Sequence, residues 1–258
     1  MLELSAAQIG TWVATFMLPL FRVAAVLMTM PIFSTRMLPA RIRLYAAVAI
    51  TVAIVPALPP MPEFEVLSVR GVLLCAEQII IGAVFGFSMQ MLFQAFVIAG
   101  QIVAIQMGMA MASMIDPANG VNVAVVGQFL TMLVSVLFLL MNGHLVVLEV
   151  LTESFTTLPV GNALVVQHFW EIAGRLGWVL GAGLIMILPV IAALLVINIA
   201  FGVMTRAAPQ LNIFSIGFPL TVVVGLVIFW IGLADVLSHY QQLSSEALQW
   251  LRQLARAP

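Results

Sequence analysis

Four charged residues interrupt long apolar stretches of this 258-residue chain: Arg22, Glu77, Glu149 and Asp235. A charge at membrane depth costs at least about 2.5–3.5 kcal/mol on insertion scales, so each needs a partner or a wet cavity. One chemistry such residues support is an ion or proton pathway, which would make the chain an independent small-molecule or ion transporter with these four as its relay. The other is structural pairing, within the chain or across a subunit interface, with Arg22 and Glu77 as one candidate pair. Glu149 lies near the end of its apolar stretch and could simply face water.

Uncharged polar chemistry concentrates between Ser88 and Ile115. Gln90, Gln94 and Gln101 fall within about 40° of one another on a helix of 3.6 residues per turn. Such an amide stripe could line a water-filled path or hydrogen-bond a neighbouring helix. Directly after it comes Gln106-Met-Gly-Met-Ala-Met-Ala-Ser-Met114, and six of the sixteen methionines lie between Met89 and Met114. Methionine is unbranched and polarizable, so it seals irregular gaps and re-packs readily. Interspersed with glycine and alanine it makes either a deformable constriction or ordinary core filling. Asp116-Pro117-Ala118-Asn119-Gly120, the strongest turn signal in the chain, would be the hinge of that segment.

Enzyme signatures do not emerge. There is no H-E-x-x-H, and His168 with Glu171 is not a metal-binding pair of that type. Gly86-Phe87-Ser88-Met89 is half of a serine-nucleophile elbow without its closing glycine. His144, His168 and His239 are far apart, and the lone Cys75 gives neither a disulfide framework nor a thiolate metal site. No phosphate-binding or dinucleotide fingerprint appears, so any energy source is external. No cofactor is expected, and the chain reads as a non-enzyme.

The elements that must position these residues are membrane-type helices. The chain is 64% hydrophobic and 7% charged, with a mean hydropathy of +1.20. A soluble domain carries about 25% charged residues. The nine basic residues are all arginines and the net charge is −1, which excludes a nucleic-acid binder working through a basic surface. Six segments are long enough to expect helices at the membrane: 8–30, 44–58, 72–97, 121–150, 178–204 and 213–237. The second is short and the fourth long, so tilt, kinks or partial spans are expected. Pro56, Pro59, Pro60 and Pro62 end the second, while Leu158-Pro159-Val160-Gly161 opens a polar connection expected to run to about Arg175. The first residues, MLELSAAQIG, lack a basic n-region and a cleavage site and do not read as a removable signal peptide.

If the six segments alternate, Arg36, Arg41, Arg43 and Arg206 fall on one side, with Arg70, Arg175, Arg252 and Arg256 on the other. Four against four orients nothing: either the six segments are misplaced or the chain is not a conventional weave of spans. Gly82 with Gly86, and Gly177 with Gly181, have the spacing that lets helix backbones approach closely. Thr35-Arg36-x-x-Pro39 and Thr205-Arg206-x-x-Pro209 echo each other at two helix connections, as interfacial arginines followed by helix-entering prolines.

One long run carries a family resemblance. Arg206-Ala-Ala-Pro209-Gln210-Leu-Asn212-Ile-Phe-Ser-Ile-Gly217-Phe-Pro219-Leu strongly resembles the signature of the FliR/SctT family of type III export-gate proteins, in its flagellar form. Phe21-Arg22 before Pro31-Ile-Phe33, Pro39 with Arg43, Gly100-Gln101-x4-Gln106-Met-Gly108, Asp116-Pro117, Asn142-Gly143-His144, Ser154-Phe155 and Pro159-Val-Gly161 match as well. The matches run from 21 to 219 and so cover essentially the whole chain.

The resemblance implies an all-α polytopic membrane protein: a FliP-like region over 1–175, then a FliQ-like helical hairpin with a C-terminal tail over 176–258. It implies assembly with FliP-like and FliQ-like membrane subunits, and with FlhA/FlhB-like export components, in the bacterial inner membrane at the flagellar basal body. Unfolded polypeptides would pass through the channel so formed, with lipid around it. The family places a plugging loop of this subunit in the idle channel, here at about 106–122. The candidate plug or gasket residues are therefore Met107, Met109, Met111, Met114, Ile115, Asp116 and Pro117. The methionines are this chain's own feature at that place, read from their chemistry and not carried over residue by residue. Candidate interface and assembly residues are Arg22, Glu77, Gln90, Gln94, Gln101, Arg206, Pro209, Gln210 and Asn212.

Overall fold

A computed structural model describes residues 6–34, 38–62, 68–109, 125–161, 166–207 and 217–256. Every regular element among them is helical. In chain order they are α1 (Ala6–Thr29), α2 (Ala40–Ile54) with a 3-10 turn (Val55–Ala57), α3 (Val69–Gln106), α4 (Val125–Leu140), α5 (Gly143–Thr157), α6 (Val166–Ala207), α7 (Phe218–Gly232), a 3-10 turn (Leu233–Asp235) and α8 (Val236–Arg256). The fold is all-α. Lipid offers a backbone no hydrogen-bond partners, and helices satisfy their own.

Among the described residues, four helical stretches are long and apolar enough to cross a membrane: Ala40–Ala57, Val69–Gln106, His168–Ala207 and Pro219–Ala255. The broken pair α4–α5 makes a fifth if counted as one span. At 38 and 42 residues, α3 and α6 are about 57 and 63 Å long at 1.5 Å per residue. The hydrocarbon core of a bilayer is about 30 Å thick. Neither helix fits inside it without a steep tilt or a long projection, in keeping with the missing arginine asymmetry.

Four boundaries differ from the sequence reading. The 121–150 segment is two helices, because Asn142 adopts the left-handed conformation (φ 57°) between them. Helix α3 runs on to Gln106, taking in the whole glutamine stripe. The expected polar connection to Arg175 is helical from Val166, since 166–173 contains no proline or glycine and His168 is buried. Beyond 237 the chain forms α8, whose Tyr240, Leu243, Ala247, Leu251 and Leu254 share a buried face.

The helices group into two compact units. The first comprises 1–91, 142–174 and 245–258, and its core includes Leu18, Val26, Ile81, Phe85, Leu151 and Leu251. There α3 lies against α1 at Gly82 and Gly86. A Cβ on Gly82 would run into the Arg22 carbonyl and Ala25, and one on Gly86 would stand 2.7 Å from the Val26 carbonyl oxygen. The second unit comprises 92–141 and 175–244. Its α3 and α4 meet at Gly100, where a Cβ would lie 2.6 Å from the Gly127 nitrogen. Phe93 and Phe138 stack edge to face at 5.7 Å, and Phe129 and Phe229 at 6.1 Å. Leu180, Leu188, Val196 and Val203 on α6 are exposed, a surface suited to lipid or to other membrane subunits.

Candidate functional site

In the first unit Arg22, fully buried, organises the polar residues of three helices. Its Nε donates to Gln78 Oε1 at 2.7 Å; Nη1 donates to the Ser154 carbonyl and to Ser154 Oγ, both at 3.0 Å; Nη2 donates to the Leu158 carbonyl at 3.0 Å. The guanidinium also lies over the Phe155 ring, 4.1 Å from its centroid. Ser154 and Leu158 bracket the end of α5: the Ser154 carbonyl also accepts the Leu158 N–H at 2.9 Å, and the Leu158 carbonyl lies just past the helix, at the end where a partial negative charge collects. Arg22 is thus a C-terminal cap supplied from another helix.

Glu77 completes the network without touching Arg22 directly. Its Oε1 accepts from Gln78 Nε2 at 3.3 Å and from the Gly161 backbone N–H at 3.0 Å. Gly161 has φ +99°, a conformation that favours glycine. The Leu158–Gly161 turn is held at both ends, by the cation and by the carboxylate. Sequence reasoning missed Gln78, although its place beside Glu77 was a usable signal; Ser154 and Phe155 figured only within the family motif, and Gly161 there and in the break after Leu158.

The other charges lie elsewhere. Glu149 is 66% exposed and pairs with Arg252 at 3.7 Å, an arrangement worth little at a surface. Asp235 is exposed in its 3-10 turn. Arg22 and Glu77 share a network, while Glu149 and Asp235 are exposed.

The glutamines grade along α3. Gln90 is half-buried with an enclosed Oε1 that accepts no hydrogen bond among the described residues, Gln94 is half-buried and Gln101 exposed. In the second unit α3 ends at Gln106, and Met107 and Met109 after it are buried. Gly108 stands at φ +84° and its N–H bonds back to the Ile105 carbonyl at 2.9 Å, a glycine stop for the helix. Asn198 Nδ2 donates to the Gln106 carbonyl and Thr221 Oγ1 to the Met107 carbonyl, each at 3.3 Å. Met111, Met114, Ile115, Asp116 and Pro117 lie outside the described residues, as do Pro209, Gln210 and Asn212. Arg206 is exposed in the last turn of α6.

Comparison with known proteins adds to this geometry. The family described as bacterial export proteins, family 1, matches residues 13–247. The chain is similar to the flagellar biosynthetic protein FliR of Pectobacterium carotovorum, 38% identical over 252 residues that cover 97% of this chain and 96% of that protein. It is 40% identical to the FliR of Escherichia coli K12 over 227 residues, 88% and 87% of the two chains. With the FliR of Bacillus subtilis 168 it shares 27% identity over 245 residues, 93% of each.

Proposed function

The chain belongs to the bacterial export proteins, family 1, and we propose that it is a subunit of the flagellar type III protein export gate. The observation that carries this reading is the end-to-end likeness to flagellar biosynthetic proteins, at 38% identity over 97% of the chain. The exposed apolar helices, two of them too long for a simple span, support a subunit packed among others.

In this reading the protein is not an enzyme. It sits in the bacterial inner membrane and builds the export channel with FliP-like and FliQ-like subunits beside FlhA/FlhB-like components. Residues 1–175 take the FliP-like part and 176–258 the FliQ-like hairpin and tail. Arg22 and Glu77 shape the surface offered to neighbours by fixing the α5 end; Gln90, Gln94, Gln101 and the 206–212 connection make contacts between subunits. The segment from Met107 to Pro117 plugs the idle channel. A polypeptide must pass while ions are held back, so an apolar ring that resists wetting is the physical requirement. Methionine supplies that apolarity with little stiffness.

Deletion of the gene in its native host, followed by complementation, tests the reading. The deletion is expected to abolish motility and secretion of flagellar subunits, both restored by the intact chain. Normal motility and secretion in the deletion strain would overturn it.

A further inference from the structure

The hydrogen bonds at the end of α3 come from far away in sequence. Asn198, on α6, is the only amide or hydroxyl side chain between Gly181 and Met204, and Thr221 is the only hydroxyl on α7. A polar side chain in an apolar helix needs a partner, and these two find theirs on the same helix end. Asn198 donates to the Gln106 carbonyl and the buried Thr221 to the Met107 carbonyl. These carbonyls lie at the end of α3. Gly225, one turn along α7 from Thr221, leaves the room that the Met107 side chain fills: a Cβ there would stand 2.6 Å from Met107 Cγ and 3.3 Å from its Cε. Met107 is fully buried in this notch. Main chain and side chain are therefore both gripped by α6 and α7.

We infer that Asn198 and Thr221 are positioning residues that clasp the end of α3, so that the C-terminal hairpin sets where the methionine-rich segment begins. Their part in sealing the channel rests on the plug proposed above; the clasp itself does not. Loss of both donors removes the two side-chain bonds that tie α6 and α7 to the end of α3 and loosens Met107 in its notch.

The test uses the assembled complex with Cys75→Ser and Met109→Cys, so that the buried position 109 carries the chain's one thiol. Maleimide labelling at 109 is expected to run roughly tenfold faster with Asn198→Leu plus Thr221→Val, since two donors to the helix end are lost. Thr221→Ser keeps the hydroxyl and is expected to label at the parent rate. Should the double variant fail to assemble, Gly225→Ala, which displaces Met107 while keeping both donors, is expected to give the same acceleration. Parent-rate labelling in the double variant, or in Gly225→Ala where that is the variant measured, would overturn the clasp. Idle-state ion conductance, measured with Met109 restored, separates the two ideas. Faster labelling with raised conductance supports clasp and plug together; faster labelling with unchanged conductance keeps the clasp and counts against the plug.

Discussion

Arg22 and Ser154, 132 residues apart in sequence, meet through one guanidinium nitrogen that reaches both the carbonyl and the hydroxyl oxygen of the serine at 3.0 Å. The contact joins α1 to the end of α5, and the other two nitrogens extend it to Gln78 and Leu158. A fully buried cation is stable here because its donors meet neutral oxygens, one of which leads through Gln78 to the Glu77 carboxylate.

Replacing Arg22 by alanine strips donors from three residues at once. Leaving a buried acceptor unsatisfied costs about 1–3 kcal/mol, so Arg22→Ala is expected to lower complex yield and apparent melting temperature strongly. Arg22→Lys keeps the charge without the planar fork and is expected to fall between. Thermal scans of the purified complex decide; a parent-like melting temperature for Arg22→Ala would contradict the capping role.

The two glycine pairs should behave oppositely. Gly86→Ala puts a methyl 2.7 Å from the Val26 carbonyl oxygen, and overpacking costs about 1–3 kcal/mol. Gly177→Ala and Gly181→Ala meet nothing of this chain within 4 Å. Membrane levels of the chain are expected to fall for Gly86→Ala and to hold for the other two, as immunoblots of membrane fractions will show.

Several of these relationships were within reach of the sequence and others were not. The close approach at Gly82 and Gly86 followed from their spacing, but its partner α1 lies some sixty residues away and no local pattern names it. Apolar content hides the break in 121–150, since hydropathy averages across Asn142 although Asn-Gly is a turn signal. Helix α6 begins early because Gln167, His168 and Glu171, polar enough to suggest a loop, are all tolerated in a helix. Tyr240, Leu243, Ala247, Leu251 and Leu254 recur at three and four, so α8 was legible from periodicity alone. Of the Arg22 network, Arg22 and Glu77 were named as a candidate pair, but the bonds to the Ser154 and Leu158 carbonyls were beyond reach, because they leave no residue type to recognise.

Within the methionine segment, deletion of 109–114 spares the buried Met107. The deleted complex is expected to assemble and leak small ions. Leucine at Met109, Met111 and Met114 is expected to hold the seal and slow export, because a branched side chain re-packs less freely. Membrane conductance, with complex yield as control, checks both; an assembled, ion-tight deletion would mark the segment as ordinary packing.

Arg206 is exposed at the end of α6, so Arg206→Ala removes little from the chain's own fold. It is expected to reduce recovery of the assembled complex and swarming together, while the chain itself stays at its parent level in the membrane. Pro209→Leu is expected to do the same. Parent-like complex yield and swarming in both would count against a docking role for the 206–212 connection.

The central claim, that this chain is one subunit of a hetero-oligomeric gate, is tested most directly by the composition of its native complex. Tagged at the C-terminus and extracted in mild detergent from its own host, the chain is expected to appear by native mass spectrometry with different, hydrophobic FliP-like and FliQ-like subunits. Expressed without them, it is expected to aggregate, since interface polar groups would face lipid. Recovery from the host as a monodisperse monomer or homo-oligomer, with no other membrane protein bound, would contradict the account.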